Sequence, residues 1–342
     1  MFRVHGHALA VRYFERSLRE GRLHHAYLLA GPAHVGKMTL ALQLAAAAEC
    51  EGVDPPCGTC KPCRRVASGQ HADVRVIAVD PTGGEDGKGP RTQIGIDAVH
   101  DAIGAAHLRP YEGKRHVFIV QDADRMSADA ANALLKLLEE PPPDVLFLLL
   151  STDAPNVLPT VRSRCALVDL KPLPVAEVAR VLREEHHVDA EHAESLARLS
   201  RGCIGWAIEA SQGSALLAAM QQRLEKIADI VEGDLETRFA YADELARRFQ
   251  RDRAAGRDEL YLWLRWLRDI MLTQQDRGDG IAHLTWRDTL ARQAAAFTPA
   301  QVVRWLHGVL EVLEDVDRNV NTRLALEVML LEAPAVAPAA SA

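Results

Sequence analysis

The sequence has no apolar stretch long enough to cross a bilayer. Its longest apolar runs, such as VLFLLL at residues 145–150, are only as long as a strand. The N-terminal residues include Arg3, Arg12, Glu15 and Arg16, and they lack the apolar core and small-residue cleavage site of a signal peptide. These absences predict a soluble, cytoplasmic protein that makes no contact with a membrane.

The sequence also lacks an excess of positive charge. Its formal net charge is −7 over 342 residues, so no overall field draws the protein to nucleic acid. A local basic group, Lys61, Arg64 and Arg65, is more typical of a solvated face than of a nucleic-acid contact. A DNA-binding protein that acts alone is therefore disfavoured, and contact with DNA is expected to be local or through partners.

Cysteines are few, and their distribution does not resemble a secreted disulfide framework. Cys165 and Cys203 stand alone, whereas four others lie in CEGVDPPCGTCKPC, namely Cys50, Cys57, Cys60 and Cys63. The C-x6-C-x2-C-x2-C spacing suits tetrahedral zinc, and a closed shell of four sulfurs leaves no open position for catalysis. We therefore expect a structural zinc site, with four reduced and unligated thiols as the alternative.

Between residues 26 and 170, short apolar runs alternate with helix-like segments, a pattern that predicts a mainly parallel sheet wrapped by helices. The runs are AYLLAG, VRVIAV, HVFIVQ, VLFLLLS and ALVDL. Ile96, Val99 and Ile103 recur at helical spacing, and Ser127 can cap a helix that ends before Pro141. The Gly- and Pro-rich segment 81–92 is expected to be a mobile surface loop.

The segment AGPAHVGKMTLA has the frame of a phosphate-binding loop. Gly31, Gly36 and Lys37 are in place between a predicted strand and a predicted helix, but Met38 stands where a metal-binding hydroxyl belongs. Thr39 comes one residue late, and one helical residue is a rotation of about 100°. Weak nucleotide binding through Gly31, Gly36, Lys37 and Thr39 stays open.

The second metal requirement of a nucleotide hydrolase is an acidic residue at the end of a buried strand. Here HVFIVQDADRM places Gln121 at that position and Asp122 after it, and a neutral amide is a poor magnesium ligand. The sequence therefore predicts loss of ATP hydrolysis. The alternative is that unusual ligands still suffice.

With these residues in view, the chain resembles the delta-prime subunits of the bacterial DNA polymerase III clamp loader, members of the AAA+ superfamily. The resemblance covers nearly the full length. Besides the altered phosphate loop and the cysteine insert after its helix, it rests on ANALLKLLEEPP at 131–142, LPTVRSRC at 158–165 and NVNTRLAL at 319–326.

The resemblance, together with helical periodicity after residue 174, implies a three-part α/β AAA+ organisation. We expect an AAA+ domain at 1–168 with a zinc module at about 50–63, and a small helical lid at 169–212. An all-α oligomerisation collar at 213–332 and a disordered tail at 333–342 would follow.

The resemblance implies a non-catalytic subunit in a hetero-pentameric ring with gamma/tau motor subunits and a delta subunit, which loads the sliding clamp onto primed DNA. Within the family's SRC motif, here Ser163, Arg164 and Cys165, the arginine is a finger that enters the ATP site of the adjacent motor subunit. Such a guanidinium can stabilise charge on a transferring phosphate. The alternative role for Arg164 is a structural ion pair.

Four further positions bear on the resemblance. Ile208 stands where the motor subunits carry a nucleotide-sensing arginine, while Ser151 and Thr152 match a polar sensor region at a strand end. The cysteine insert opens with C-x6-C where the family usually has C-x8-C, so Cys50 is the least secure of the four ligands.

The competing functions are an active AAA+ ATPase motor and a free zinc-ribbon protein that binds nucleic acid.

Overall fold

The computed structural model describes residues 2–79, 92–318 and 320–333. The predicted mobile loop at 81–92 and the predicted tail at 333–342 lie outside the described residues, apart from Thr92 and Ala333. The chain separates into two compact units, Met1–Val181 with Arg201–Trp206, and Leu182–Ser200 with Ala207–Ala342.

The first unit is built on a sheet that, over the described residues, has five parallel strands in the order β2-β3-β4-β1-β5. The strands are β1 Ala26–Ala30, β2 Val74–Ile77, β3 His116–Val120, β4 Val145–Ser151 and β5 Ala166–Asp169. Each lies in one of the apolar runs that predicted a strand. The predicted parallel-sheet class is therefore confirmed.

Helices cover both faces of this sheet. They are α1 Ala8–Arg19, α2 Lys37–Glu49, α3 Lys61–Ala67, α4 Ile96–Ala106, α5 Ala128–Glu139 and α6 Pro159–Arg162. Within β1, Leu29 packs with the core of α1, α2 and α3, whereas its neighbour Leu28 packs with the core of α4, α5 and α6. Because successive strand residues point to opposite faces, covering both faces requires the continuous apolar runs seen in the sequence.

The two helices expected on the sheet are present. Ser127 caps α5 as predicted, because its side chain accepts a hydrogen bond from the Ala130 N–H at 3.1 Å. The helix ends at Glu139, before the Pro141–Pro143 run in which no residue has an N–H to donate. Glu139 thus lies at a helix end on the surface of the unit.

The remaining helices follow β5 along the chain. They are α7 Val175–His186, α8 Ala190–Leu199, α9 Ile204–Ser211, α10 Ala215–Glu232, α11 Leu235–Arg251, α12 Arg253–Gln274, α13 Arg287–Ala296, α14 Pro299–Asp317 and α15 Thr322–Leu331. Helices α7 and α9 each span a boundary between the two units. The predicted division into three domains at residues 168 and 212 stays a prediction.

The second unit has a core of buried indole rings around a charged network. Trp263 donates its Nε1–H to the Tyr241 hydroxyl at 2.9 Å, and that hydroxyl donates to Glu259 at 3.1 Å. The buried Glu259 carboxylate is also paired with Arg223 and Arg248, at 2.7 and 2.6 Å. A buried carboxylate is tolerated here because two guanidinium groups offset its charge.

No described helix combines the length and apolar character that a membrane span requires.

Candidate nucleotide, metal and arginine sites

The predicted phosphate loop connects β1 to the first residue of α2. A side chain at Gly31 would place its Cβ 2.3 Å from the Leu170 carbonyl oxygen, and the φ angle of Gly31 is +152°. Gly36 precedes α2 with a φ angle of +111°. Both positions therefore require glycine, as in a loop whose backbone closes around a phosphate.

Lys37 is held by the loop itself. Its ammonium group donates to the carbonyl oxygens of Gly31 at 2.6 Å and Pro32 at 2.8 Å. Burial lowers the pKa of Lys37, while the negative charges of Asp122 and Asp124 oppose that shift. The lysine therefore lies within the loop with two carboxylates in its electrostatic environment, and its role in binding phosphate stays a prediction.

Met38 and Thr39 offer little to a metal ion at this loop. The partly buried Met38 side chain packs against the apolar core formed by α1, α2 and α3 with the sheet. Thr39, the only hydroxyl residue in the first turn of α2, is exposed. The position that would hold the metal-binding hydroxyl is instead occupied by a thioether side chain packed against the core.

The acidic region beyond β3 contains one residue that sequence analysis missed. Gln121 follows the strand and is exposed, and Asp122 has a left-handed backbone with a φ angle of +53°. Asp124 lies two residues further on, and its Oδ2 accepts a hydrogen bond from the Thr152 hydroxyl at 3.1 Å. The QDAD spacing was the available signal for Asp124, but the contact with Thr152 spans 28 residues.

The polar end of β4 is a structural turn at Ser151. The buried Ser151 hydroxyl donates to the Asp153 carbonyl at 2.7 Å and accepts from the Asp153 N–H at 3.2 Å. This contact caps the strand end, as a serine turn does. Ile208 lies half-buried on α9. That it stands where the motor subunits carry a nucleotide-sensing arginine stays a prediction.

The four clustered cysteines converge at the end of α2 and the start of α3. Their sulfur atoms all lie within 4.8 Å of one another. The Cys57–Cys63 and Cys50–Cys60 sulfur pairs are each 4.0 Å apart. Tetrahedral zinc with Zn–S bonds of about 2.3 Å requires sulfur separations of about 3.8 Å. The cluster therefore fits a metal site, and Cys50 belongs to it.

Backbone N–H groups around the cysteine cluster favour the negatively charged thiolate form of its sulfur atoms. The N–H groups of Gly52 and Cys57 point at the Cys50 sulfur, at 3.3 and 3.4 Å, and the Cys60 N–H points at the Cys57 sulfur at 3.3 Å. The Cys60 N–H and the Thr59 hydroxyl lower the pKa of Cys57 to about 5. Burial raises the pKa of Cys63 to about 12. A thiol of this kind becomes a thiolate when a cation replaces its proton.

The basic residues beside the cluster are only partly available to a partner. The Arg65 guanidinium pairs with Glu112 at 3.1 Å and donates to the Gln70 carbonyl at 2.6 Å. Lys61 and Arg64 are exposed. Arg65 thus stabilises the insert against the rest of the unit. The interpretation of the whole basic group as a solvated face stays a prediction.

Arg164 lies just after α6 and is partly exposed, and both of its terminal nitrogens contact nearby groups. One terminal nitrogen, Nη1, donates to the Thr160 carbonyl at 2.8 Å and to the Ser163 hydroxyl at 3.2 Å. The other, Nη2, is 2.6 Å from a carboxylate oxygen of Glu139 at the end of α5. The ion pair considered as the alternative role for Arg164 is therefore present, and Glu139 is a second residue that sequence analysis missed.

Two family models match most of the chain. The model described as "DNA polymerase III, delta subunit" matches residues 6–174, and "DNA polymerase III, delta subunit, C terminal" matches residues 217–333. The two matches leave out the helical segment between residues 175 and 216. They include the phosphate loop, the cysteine cluster and Arg164.

Named relatives agree with these matches. A DNA polymerase III subunit delta' of Bacillus subtilis is 28% identical over 92% of this chain and 92% of its own length. One from Pseudomonas aeruginosa is 40% identical over 52% of this chain and 53% of its own. DNA polymerase III subunit tau of Escherichia coli is 29% identical over 93% of this chain and 51% of its own. The chain thus spans about half the length of the last two relatives.

Proposed function

Since the chain belongs to the delta-prime family of DNA polymerase III clamp-loader subunits, we propose that it is the non-catalytic member of such a complex. In this role it does not hydrolyse ATP. It acts as a stator that completes the ring and supplies Arg164 to a neighbouring ATPase subunit while the sliding clamp is loaded onto primed DNA. The expected location is the cytoplasm.

The observation that carries the non-catalytic role is the packing of Met38. In a working loop, the hydroxyl at this position binds the magnesium ion that bridges the phosphates. Here the thioether of Met38 packs against the core. The exposed Thr39 comes one residue later, rotated from Met38 by about 100° about the helix axis. Gln121 at the end of β3 removes the acidic ligand on the other side. Gly31, Gly36 and Lys37 retain a frame for weak nucleotide binding.

The surface position of Arg164 supports a role in trans. Arg164 follows α6 and is not part of either apolar core of the sheet, so its guanidinium is free to leave its own chain without unfolding it. A planar, permanently charged group is suited to bridge the oxygens of a transferring phosphoryl group. We place this contact in the ATP site of the adjacent gamma/tau-type subunit.

The cysteine cluster is proposed to bind one structural zinc through Cys50, Cys57, Cys60 and Cys63. Four sulfur ligands fill a tetrahedral shell, so the metal has no open position for a substrate. The ion would fix the end of α2 to the start of α3. Its role is therefore to stabilise the insert, and no step of ATP chemistry passes through it.

The collar role is supported by an apolar stripe on α15. Leu324, Val328 and Leu331 follow one another at helical spacing, and each is about half exposed, at 56%, 48% and 51%. Three large aliphatic side chains on one exposed helix face are typical of a surface that a partner covers. We propose that this stripe contacts the gamma/tau and delta subunits in a hetero-pentameric ring.

An active ATPase motor is the second candidate, and one observation favours it. Burial lowers the pKa of Lys37, and the negative charges of Asp122 and Asp124 oppose that shift, so two carboxylates act electrostatically on a cation at the loop. A magnesium ion held by these two carboxylates would be an unusual replacement for the missing ligands. The two candidates differ in whether this chain turns over ATP by itself.

Steady-state ATP hydrolysis by the purified chain tests the non-catalytic role. We expect no turnover above that of Lys37→Ala, with or without clamp and primed DNA, because both metal-holding positions lack a suitable oxygen. Met38→Thr alone should not restore activity, since Gln121 remains. Turnover that disappears in Lys37→Ala would instead establish the motor.

A further inference from the structure

The contacts of Arg164 with its own chain have a consequence for the proposed finger. Both terminal nitrogens of its guanidinium have partners, with Nη1 on Thr160 and Ser163 and Nη2 on Glu139. Only the Glu139 contact is an ion pair, and it offsets the charge that a finger must deliver. A guanidinium whose charge is offset by a carboxylate stabilises a developing phosphate charge less well.

Glu139 would also face the phosphate if the pair stayed intact. With 2.6 Å between Nη2 and the Glu139 oxygen, a triphosphate that reached the guanidinium would come within a few ångströms of the carboxylate. Like charges at that distance repel each other. Binding of Arg164 to a neighbour's ATP and binding of Arg164 to Glu139 therefore compete.

Glu139 is the main anionic group around the guanidinium of Arg164. Arg164 and Glu139 line a surface recess of about 580 Å³, whose other lining residues are His24, His25, Leu138, Ser163, Cys165 and Ala166. Among these described lining residues, Glu139 is the only carboxylate. Burial raises the pKa of Cys165 to about 12, so its thiol stays neutral. Burial, and then the neighbouring His24, lower the pKa of His25.

We propose that Glu139 is a latch that holds Arg164 on its own chain and releases it when the neighbouring subunit presents ATP. This inference rests on the proposed role of Arg164 in trans. The pair suits a latch because it is accessible, with Arg164 34% and Glu139 50% exposed. Ion pairs of this exposure are weak enough to exchange readily.

The latch and a purely structural role of Glu139 predict different effects of Glu139→Gln on the rate of ATP hydrolysis. Glu139→Gln keeps the size of the side chain but removes the ion pair, so a larger fraction of Arg164 is available to the neighbour. Because the finger acts on the transition state, kcat for ATP should rise about two- to fivefold while KM stays unchanged. A residue that only supports the fold would lower kcat or impair assembly when changed.

The test uses the reconstituted clamp loader in which only the ATP site facing this chain keeps its phosphate-loop lysine. Glu140→Gln is the matched control, because Glu140 is the adjacent exposed carboxylate and the charge change is the same. Glu140→Gln should leave kcat as in the wild type. The gain in Glu139→Gln should shrink at high salt, since salt weakens an exposed ion pair in the wild type.

The outcomes separate the latch from the proposed function. The latch is contradicted if Arg164→Ala lowers kcat but Glu139→Gln leaves it at or below the wild-type value. It is also contradicted if Glu139→Gln still raises kcat in an Arg164→Ala background, because the effect would not pass through Arg164. If neither Arg164→Ala nor Glu139→Gln changes kcat in an assembled complex, the role of Arg164 in trans fails as well.

Discussion

Two buried carboxylates, Glu49 and Asp73, fix the segment that leads into β3. Asp73 accepts hydrogen bonds from the N–H groups of Tyr111, Glu112 and Gly113, at 2.7 to 2.8 Å. Glu49 accepts from the next two N–H groups, at 2.5 and 3.2 Å. Five consecutive backbone donors are thus satisfied by side chains, because a segment without regular structure has no other partners for them.

Asp73→Asn should destabilise the chain by about 1.5–3 kcal/mol at pH 7, because an amide cannot accept three N–H groups as a carboxylate does. Burial alone would raise the pKa of Asp73, but the three donors together with the neighbouring His116 hold that pKa below its ordinary value. The stabilisation is therefore present above the unfolded pKa of about 3.9 and is lost as pH falls through the folded value.

Urea unfolding of Asp73→Asn and of the wild type at pH 7 and at about pH 3 measures this difference in the free energy of unfolding. The exposed Asp101, changed to Asn, is the control and should alter stability by less than about 0.5 kcal/mol. A gap between Asp73→Asn and the wild type that stays constant across this pH range would contradict the account of the carboxylate.

How far single residues could be predicted depended on whether their role is local. Met38 and Gln121 were interpretable because a phosphate loop assigns each position a chemical task. The contact between Thr152 and Asp124 and that between Arg164 and Glu139 were not, because their partners lie 28 and 25 residues away. No local pattern records which distant side chain the fold brings to a given surface.

Helix α2 connects the two candidate sites of the first unit. It starts at Lys37 in the phosphate loop and ends at Glu49, directly before Cys50. The Lys114 ammonium donates to the Cys50 carbonyl, so the segment before β3 also holds the helix end. A metal bound by the cysteine cluster would therefore stabilise an element that carries the loop at its other end.

The purified chain is expected to contain one zinc ion, because four thiolates at these separations complete a tetrahedral shell. Cys60→Ser should bring the zinc content close to zero and lower the melting temperature, whereas Cys165→Ser, outside the cluster, should keep the metal. Elemental analysis and thermal unfolding of protein prepared without chelator measure both. Full zinc content in Cys60→Ser would contradict the four-sulfur site. Full zinc content in Cys50→Ser would exclude only Cys50 from the set of ligands.

The strands of the sheet could be predicted from the sequence. All five strands of the described sheet lie within the apolar runs, because strands buried on both faces must be apolar throughout. The boundaries of a lid at 169–212 stay a prediction. Helical periodicity reports that a helix has an apolar face, but not which neighbouring helix covers it.

At the scale of the whole molecule, the exposed stripe on α15 should matter only in the complex. Leu324→Asp should leave the isolated chain folded, because surface substitutions usually change stability by less than about 0.5 kcal/mol. It should weaken assembly with the other subunits at least about tenfold, since a charge would replace an aliphatic contact in the interface. Sedimentation of mixtures with the partner subunits gives the affinity.

Leu108→Asp is the matched control for Leu324→Asp, because Leu108 is also an exposed leucine, at 68%, but lies after α4 in the sheet-containing unit. It should assemble as the wild type does. Equal assembly of the Leu324→Asp and wild-type chains would show that α15 does not contribute to the ring.

The proposed role of the whole chain depends on Arg164 acting on a neighbour. Fingers that are the sole source of charge stabilisation contribute on the order of 10³ to 10⁵ in rate, but other sites in the ring would keep working and reduce the overall loss. Arg164→Lys should not rescue activity well, because an ammonium lacks the planar fork of a guanidinium.

The most direct measurement is steady-state ATP hydrolysis by the reconstituted clamp loader carrying Arg164→Ala, with assembly checked by sedimentation. The account predicts an intact ring in which ATP turnover and clamp loading both fall. An intact ring that hydrolyses ATP at the wild-type rate would contradict it, and the contacts of Arg164 with Glu139, Thr160 and Ser163 would then be structural only.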